Sequence, residues 1–205
     1  METIIGRKRE QRLLLEYCDS GRAEFIAVYG RRRVGKTFLV KHFFQDKFAF
    51  YMTGIFEGLL ADQLANFTAR LSVHSGKQQL MPKNWFEAFA MLQEYLEGLD
   101  VDRQLVVFID ELPWLDTPNS RFIKALELFW NSWGSTCGRL KFIVCGSATT
   151  WMLSKLLGDR GGLHNRVTHR MYLRSFTLAE TEEYLKANGF VYGRQQIIDT
   201  YMIVG

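Results

Sequence analysis

At 205 residues the chain allows one domain, or one and a fraction, and its 47% hydrophobic content is ample for a sizeable core. Twenty-six Lys and Arg against 22 Asp and Glu leave a charge of +4, which permits nucleic-acid contact without arguing for it. Cys18, Cys137 and Cys145 imply neither a disulfide framework nor a zinc site. No apolar run approaches the roughly 20 residues that span a bilayer, and Met1–Lys8 is too polar for a signal peptide, so a cytoplasmic protein without membrane contact is expected.

In chain order, residues 7–20 read as a helix, with Leu13, Leu14, Tyr17 and Cys18 on one face and Gly21 ending it. Phe25–Tyr29 is apolar and strand-like. It leads into Gly30-Arg31-Arg32-Arg33-Val34-Gly35-Lys36-Thr37, and Phe38–Phe44 follows with helical spacing. Strand, glycine loop and helix in that order is the context a phosphate-binding loop requires. Gly30 and Gly35 let the backbone bend, so that the N–H groups of residues 30–35 can point at phosphate oxygens. The helix opening at Lys36, Thr37 and Phe38 adds unpaired N–H groups and a positive dipole end. Lys36 is placed to reach the β- and γ-phosphates, and the Thr37 hydroxyl to hold Mg²⁺. The three arginines belong to this phosphate-proximal surface and are not read as a nucleic-acid signal.

Residues 48–53 read as a second strand and 59–73 as a helix. Asn84-x-x-Glu87 has the spacing of a helix cap with its reciprocal carboxylate, and that helix stops at Gly98. Leu105–Ile109 is apolar without alternation, as in a strand covered on both faces. Residues 119–133 are helical, 140–145 a strand, 149–157 helical and 167–173 a last strand. Thr177-x-x-Glu180 caps a helix to Ala187, and 195–204 forms another. Strands alternating with helices indicate a parallel sheet with helices on both faces. The apolar helix at the end, with no polar tail, suggests a longer parent protein. Trp85, Trp130, Trp133 and Trp151 fall on helical stripes as core residues, and Trp114 reads as packing.

Asp110 and Glu111 follow the strand 105–109, at the strand end where ligands of parallel sheets sit. Asp110 there can hold Mg²⁺ beside Thr37, and Glu111 can act on the water that attacks the γ-phosphate. Ser147, with Thr149 in reserve, can hydrogen-bond that phosphate or water, unless one of these hydroxyls caps the following helix. Arg160, Arg166, Arg170 and Arg174 are available to stabilise transition-state charge, in cis or from a neighbouring copy, with Arg166 first and Arg160 second. His164 reads as a loop histidine. The absence of Asn-Lys-x-Asp disfavours guanine, and a small-molecule phosphotransferase would need an acceptor site that is not visible.

Gly6-Arg7-x-x-Glu10, the loop 30–37, Ile-Asp-Glu-Leu-Pro-Trp-Leu at 109–115, Gly146-Ser147 and Asn-Arg-Val-Thr at 165–168 together resemble the archaeal-type ATPase family, in the signal-transduction branch of AAA+-like P-loop ATPases. The resemblance covers nearly the whole chain. It implies a three-layer α/β fold with a five-strand sheet ordered 5-1-4-3-2 over residues 1–175, and the beginning of a helical lid over 176–205. It implies ATP and Mg²⁺ at Lys36, Thr37, Asp110, Glu111 and Ser147. Ile4, Ile5, Gly6 and Arg7 would lie against the adenine, and Arg166 would match an arginine-finger or sensor position. Hydrolysis of ATP to ADP and phosphate is the leading expectation, and a slow-turnover ATP-gated switch governing a C-terminal effector is the alternative. DNA, through a C-terminal region beyond residue 205, and a second copy of the chain are candidate partners.

Overall fold

The computed structural model describes residues 4–156, 158, 163 and 165–204. Strands β1 (Glu24–Tyr29), β2 (Phe50–Thr53), β3 (Leu105–Asp110), β4 (Leu140–Gly146) and β5 (His169–Tyr172) form one sheet in the order β2-β3-β4-β1-β5. Every neighbouring pair is parallel. Counted from the other edge this is the expected 5-1-4-3-2. The three inner strands are buried at almost every position, whereas β2 alternates between buried and half-buried residues. The unbroken apolar run Leu105–Ile109 thus belongs to an inner strand, whereas the equally apolar run 48–52 leads into the edge strand β2.

Successive side chains point to opposite faces of the sheet. Phe25, Ala27, Val107, Ile109, Phe142 and Val144 pack against α3 (Leu60–Ser75), α4 (Trp85–Glu97) and α5 (Phe122–Ser132). Their neighbours Ile26, Val28, Val106, Phe108, Ile143 and Cys145 pack against α1 (Lys8–Cys18) and α2 (Lys36–Phe43). Trp85 and Trp130 are core residues, and Trp133 and Trp151 pack part-buried on the same cluster. Trp114 is half-buried against Phe56.

Local chemistry sets the element ends. The Asn84 side chain accepts from the Glu87 N–H at 3.0 Å. The Glu87 carboxylate takes the Lys83 N–H, one residue earlier than the spacing suggests. The expected helix 119–133 begins only at Phe122, because residues 112–115 close a 3₁₀ turn and Asn119 and Arg121 adopt left-handed φ values. The segment after β4 is a single α-turn, α6 (Thr149–Trp151), that widens into a π-helix over Met152–Leu156. Beyond β5, α7 (Leu178–Ala187) starts with a full capping box between Thr177 and Glu180, and packs with α8 (Arg194–Val204).

The strand register positions the site. Tyr29 lies beside Gly146, Ile109 beside Val144 and Thr53 beside Asp110. The residues that follow β1, β3 and β4 therefore emerge at one end of the sheet, where Gly30, Glu111 and Ser147 stand.

Candidate functional site

The loop leaves β1 under β5. Gly30 has φ +149°, and a Cβ there would lie 2.2 Å from the Leu173 carbonyl oxygen, so only glycine fits. Gly35 is the N-cap of α2 with φ +89° and provides no side-chain cap. The first helical bond at this end is Leu39 N–H to the Gly35 carbonyl, so the N–H groups of the first turn remain available for an anion. Lys36 is buried, and its amine donates to the Gly30 and Arg31 carbonyls at 3.0 and 2.7 Å. The cation is thus held inside the loop by main-chain oxygens that an entering phosphate oxygen can replace.

The Thr37 hydroxyl donates to Asp110 Oδ2 at 2.8 Å, and Asp110 Oδ1 accepts the Glu111 N–H at 3.0 Å. Asp110 is almost fully buried. Among the described residues no group of three or more His, Cys, Asp or Glu is arranged to hold a metal. Mg²⁺, however, takes one or two protein oxygens and completes its shell with substrate phosphates and water. The adjoining hydroxyl and carboxylate of Thr37 and Asp110 fit that demand. Behind them Cys145 is buried, and desolvation together with the Asp110 charge pushes its thiol well up.

Glu111 departs from ordinary backbone geometry, with φ +46° in the left-handed region. For a non-glycine residue this is uncommon and costs of order 1 kcal/mol or more. It turns the carboxylate toward β4, where Oε2 accepts both the Ser147 N–H at 3.3 Å and the Ser147 hydroxyl at 3.1 Å. Ser147 therefore does not cap the helix that follows; the N-cap there is Ala148, without a side-chain bond. Thr149 is half-buried at the start of α6, with its N–H on the Ser147 carbonyl.

A cleft of about 1130 Å³ opens beside the loop. Arg31, Arg32, Arg33, Val34, Gly35 and Phe38 form one wall. Ile4, Ile5 and Arg7 form a second, and Phe176, Tyr184, Leu185 and Phe190 a third. Gly6 and Arg7 are consecutive left-handed residues at φ +66° and +53°. The Arg7 side chain is buried between the Val34 carbonyl and the Phe176 ring. Desolvation lowers its pKa, against the opposing pull of Glu180 and Glu10.

The structure thus brings Lys36, Thr37, Asp110, Glu111 and Ser147 together, and Ile4, Ile5, Arg7, residues 31–35 and Phe38 line the neighbouring cleft; Gly6, Gly30, Lys36 and Thr37 do not line it. Arg166 stands elsewhere. It precedes β5, whose amino end lies beside Phe25 and Ile26, at the opposite end of the sheet from the loop. Its side chain is exposed. Arg160 and His164 lie outside the described residues. Arg170 lies within β5, and Arg174 follows it two residues beyond the strand end. Periodicity did not reveal Gln63, whose fully buried amide binds the Ile55 N–H, the Ile55 carbonyl and the Trp114 carbonyl. That amide joins the loops after β2 and β3 into one support behind Glu111.

A family model described as an ATPase domain predominantly from Archaea matches residues 5–196. An uncharacterized protein of Methanocaldococcus jannaschii is 26% identical over 185 residues, 88% of this chain and 38% of its own length. This chain therefore spans about two fifths of that curated relative. The Walker-type ATPase of Pyrococcus abyssi superposes with a TM-score of 0.62 at 19% identity, covering 96% of this chain and 62% of the other. A signal transduction ATPase with numerous domains from Pyrococcus horikoshii, carrying a tetratricopeptide repeat sensor, superposes with a TM-score of 0.58 at 16% identity, covering 98% and 28%. These solved structures share the three-layer α/β fold with its parallel five-strand sheet. With 192 consecutive positions (5–196) matched, the chain belongs to the family of ATPase domains found predominantly in Archaea.

Proposed function

We propose that this chain is the nucleotide-sensing module of an ATP-gated switch, in which slow hydrolysis of ATP to ADP and phosphate resets the switched state. Residues 1–175 form the nucleotide core and 176–205 the start of the lid. The observation that carries the reading is the pairing of Glu111 with Ser147. The carboxylate that would act on the attacking water accepts two bonds from Ser147, and Lys36 is engaged by the loop's own carbonyls. Both groups must leave these partners before they serve a γ-phosphate. That requirement favours a gated, slow cycle over continuous turnover.

In this reading the N–H groups of residues 30–38 and the Lys36 amine bind the phosphates, and Ile4, Ile5, Gly6 and Arg7 border the adenine. Thr37 and Asp110 would hold Mg²⁺, which neutralises phosphate charge when bound. Glu111 orients the water, and Ser147 links it to the γ-phosphate. Arg166, exposed before the edge strand, serves a neighbouring copy. DNA is retained as a partner of the whole protein; an ATPase rate unmoved by DNA at two salt concentrations rejects it.

Glu111→Gln tests the assignment. Turnover should fall about 10²–10⁴-fold, the range of a lost general base, while a fluorescent ATP analogue binds as to wild type. An unchanged rate removes Glu111 from the chemistry. Ser147→Ala tests the Ser147 assignment: it removes the hydroxyl bond to Glu111 and keeps the main-chain N–H bond, so turnover should fall several-fold with loss of the γ-phosphate link, whereas a rise would mean that the hydroxyl only holds the carboxylate back.

A further inference from the structure

Arg7 stands where three parts of the molecule meet. Its guanidinium donates from Nη2 to the Val34 carbonyl at 3.0 Å, within the phosphate loop, and lies 4.6 Å from the centroid of the Phe176 ring, just before α7. Its main-chain N–H donates to Glu180 Oε1 at 2.9 Å, in the first turn of α7. The other oxygen of Glu180 accepts the Thr177 N–H and hydroxyl at 2.8 and 2.9 Å. Gly6 suits this junction because its φ of +66° would strain any other residue, and a Cβ on it would crowd Glu180 Cγ at 3.1 Å. The Gln11 amide fixes the Gly6 carbonyl at 2.8 Å. A non-glycine residue in the left-handed region is maintained where surrounding contacts over-determine it, and the contacts of Arg7 join the loop to α7.

Resting on the ATP reading above, we propose that Gly6-Arg7 is the coupling element of the switch: loop occupancy is transmitted through the Val34 carbonyl and Arg7 to Glu180 and Phe176, and so sets the position of α7 and α8. Val34 lies in the same loop as Gly30 and Arg31, whose carbonyls Lys36 would exchange for phosphate. Arg7 itself lines the cleft, so a nucleotide meets the same side chain that holds the lid. The exposed pair Lys8–Glu183, at 3.4 Å, lies beside this junction and adds little. Coupling between two sites is reciprocal. Whatever factor the nucleotide contributes to holding α7–α8 through Arg7, the lid must return to nucleotide affinity.

Glu180→Ala and Thr177→Ala separate coupling from helix capping. Both remove part of the Thr177–Glu180 cap, and only the first removes the acceptor for Arg7. Hydrogen exchange of residues 178–204 would be followed with and without AMP-PNP, on the 205-residue chain. Without nucleotide, Glu180→Ala should exchange about tenfold faster than Thr177→Ala. AMP-PNP should protect these amides in wild type and in Thr177→Ala but not in Glu180→Ala, whose AMP-PNP Kd should rise by the factor of protection lost. Equal exchange in the two variants, or nucleotide-induced protection surviving in Glu180→Ala, overturns the coupling alone. Failure of the wild-type chain to bind AMP-PNP overturns the ATP reading and the coupling with it.

Discussion

Lys36 shows how a single side chain can hold a site ready. Its amine is buried with two main-chain acceptors, so the cation is solvated by the loop itself and its direction is set before phosphate arrives. Lys36→Met should leave the fold intact, yet weaken ATP binding more than about a hundredfold, because buried charge-assisted bonds of this kind contribute about 1.5–3 kcal/mol each; titration of a fluorescent ATP analogue reads the change. Gly30 makes the opposite demand on geometry. With a Cβ contact of 2.2 Å to the Leu173 carbonyl, Gly30→Ala must push β1 and β5 apart, and a loss of roughly 3 kcal/mol or more in urea denaturation is expected. His74 is tuned by burial, which lowers its pKa. Its Nε2 accepts the Tyr51 N–H at 3.1 Å, a bond that needs the neutral ring. A folded pKa below the unfolded value of about 6.5 gives stability that is present above that value and is lost as pH falls through it. The melting temperature should therefore drop between pH 7 and pH 5, and His74→Gln should flatten part of that slope.

The elements divide into those that periodicity reveals and those that distant partners create. The inner strands were legible because fully buried runs such as Leu105–Ile109 carry no polar residue to mark a solvent face. The phosphate loop was legible because glycine spacing dictates its backbone directly. The Glu111–Ser147 and Arg7–Glu180 contacts were not, since they join residues 36 and 173 positions apart and neither partner departs from its local pattern. The π-helical turn at Met152–Leu156 was equally hidden, being set by how Met152 and Leu156 pack into the core. Gln63 is the clearest case of a polar residue that sequence alone places on a helix without a role. Its amide satisfies three main-chain groups on two loops, so Gln63→Leu strands buried donors and acceptors at about 1–3 kcal/mol each. A loss of roughly 2–4 kcal/mol is expected, together with reduced turnover, because the supported segment runs directly from Glu111 to Trp114.

At the scale of the whole molecule, the parallel register gathers one end of the sheet around the nucleotide and leaves the other end, with Arg166, to face outward. Binding energy is therefore concentrated where the core, the segment 4–7 and the helical pair α7–α8 converge, and nucleotide should stabilise all three together. A ligand at a hundred times its Kd adds about 2.7 kcal/mol to the folded state. For a chain of this size each kcal/mol raises the melting temperature by about 2–4 °C, so saturating Mg·ATP should raise it by roughly 5–11 °C. Removing the metal with EDTA isolates the part that depends on Thr37 and Asp110. If these two oxygens help to hold Mg²⁺ against the phosphates, the shift should fall to less than about half, and Asp110→Ala should give the same small shift with or without metal. A full shift in EDTA would mean that the loop N–H groups and Lys36 bind the triphosphate without help from the Thr37–Asp110 pair. The hydroxyl-to-carboxylate bond seen here would then be a structural brace between α2 and β3.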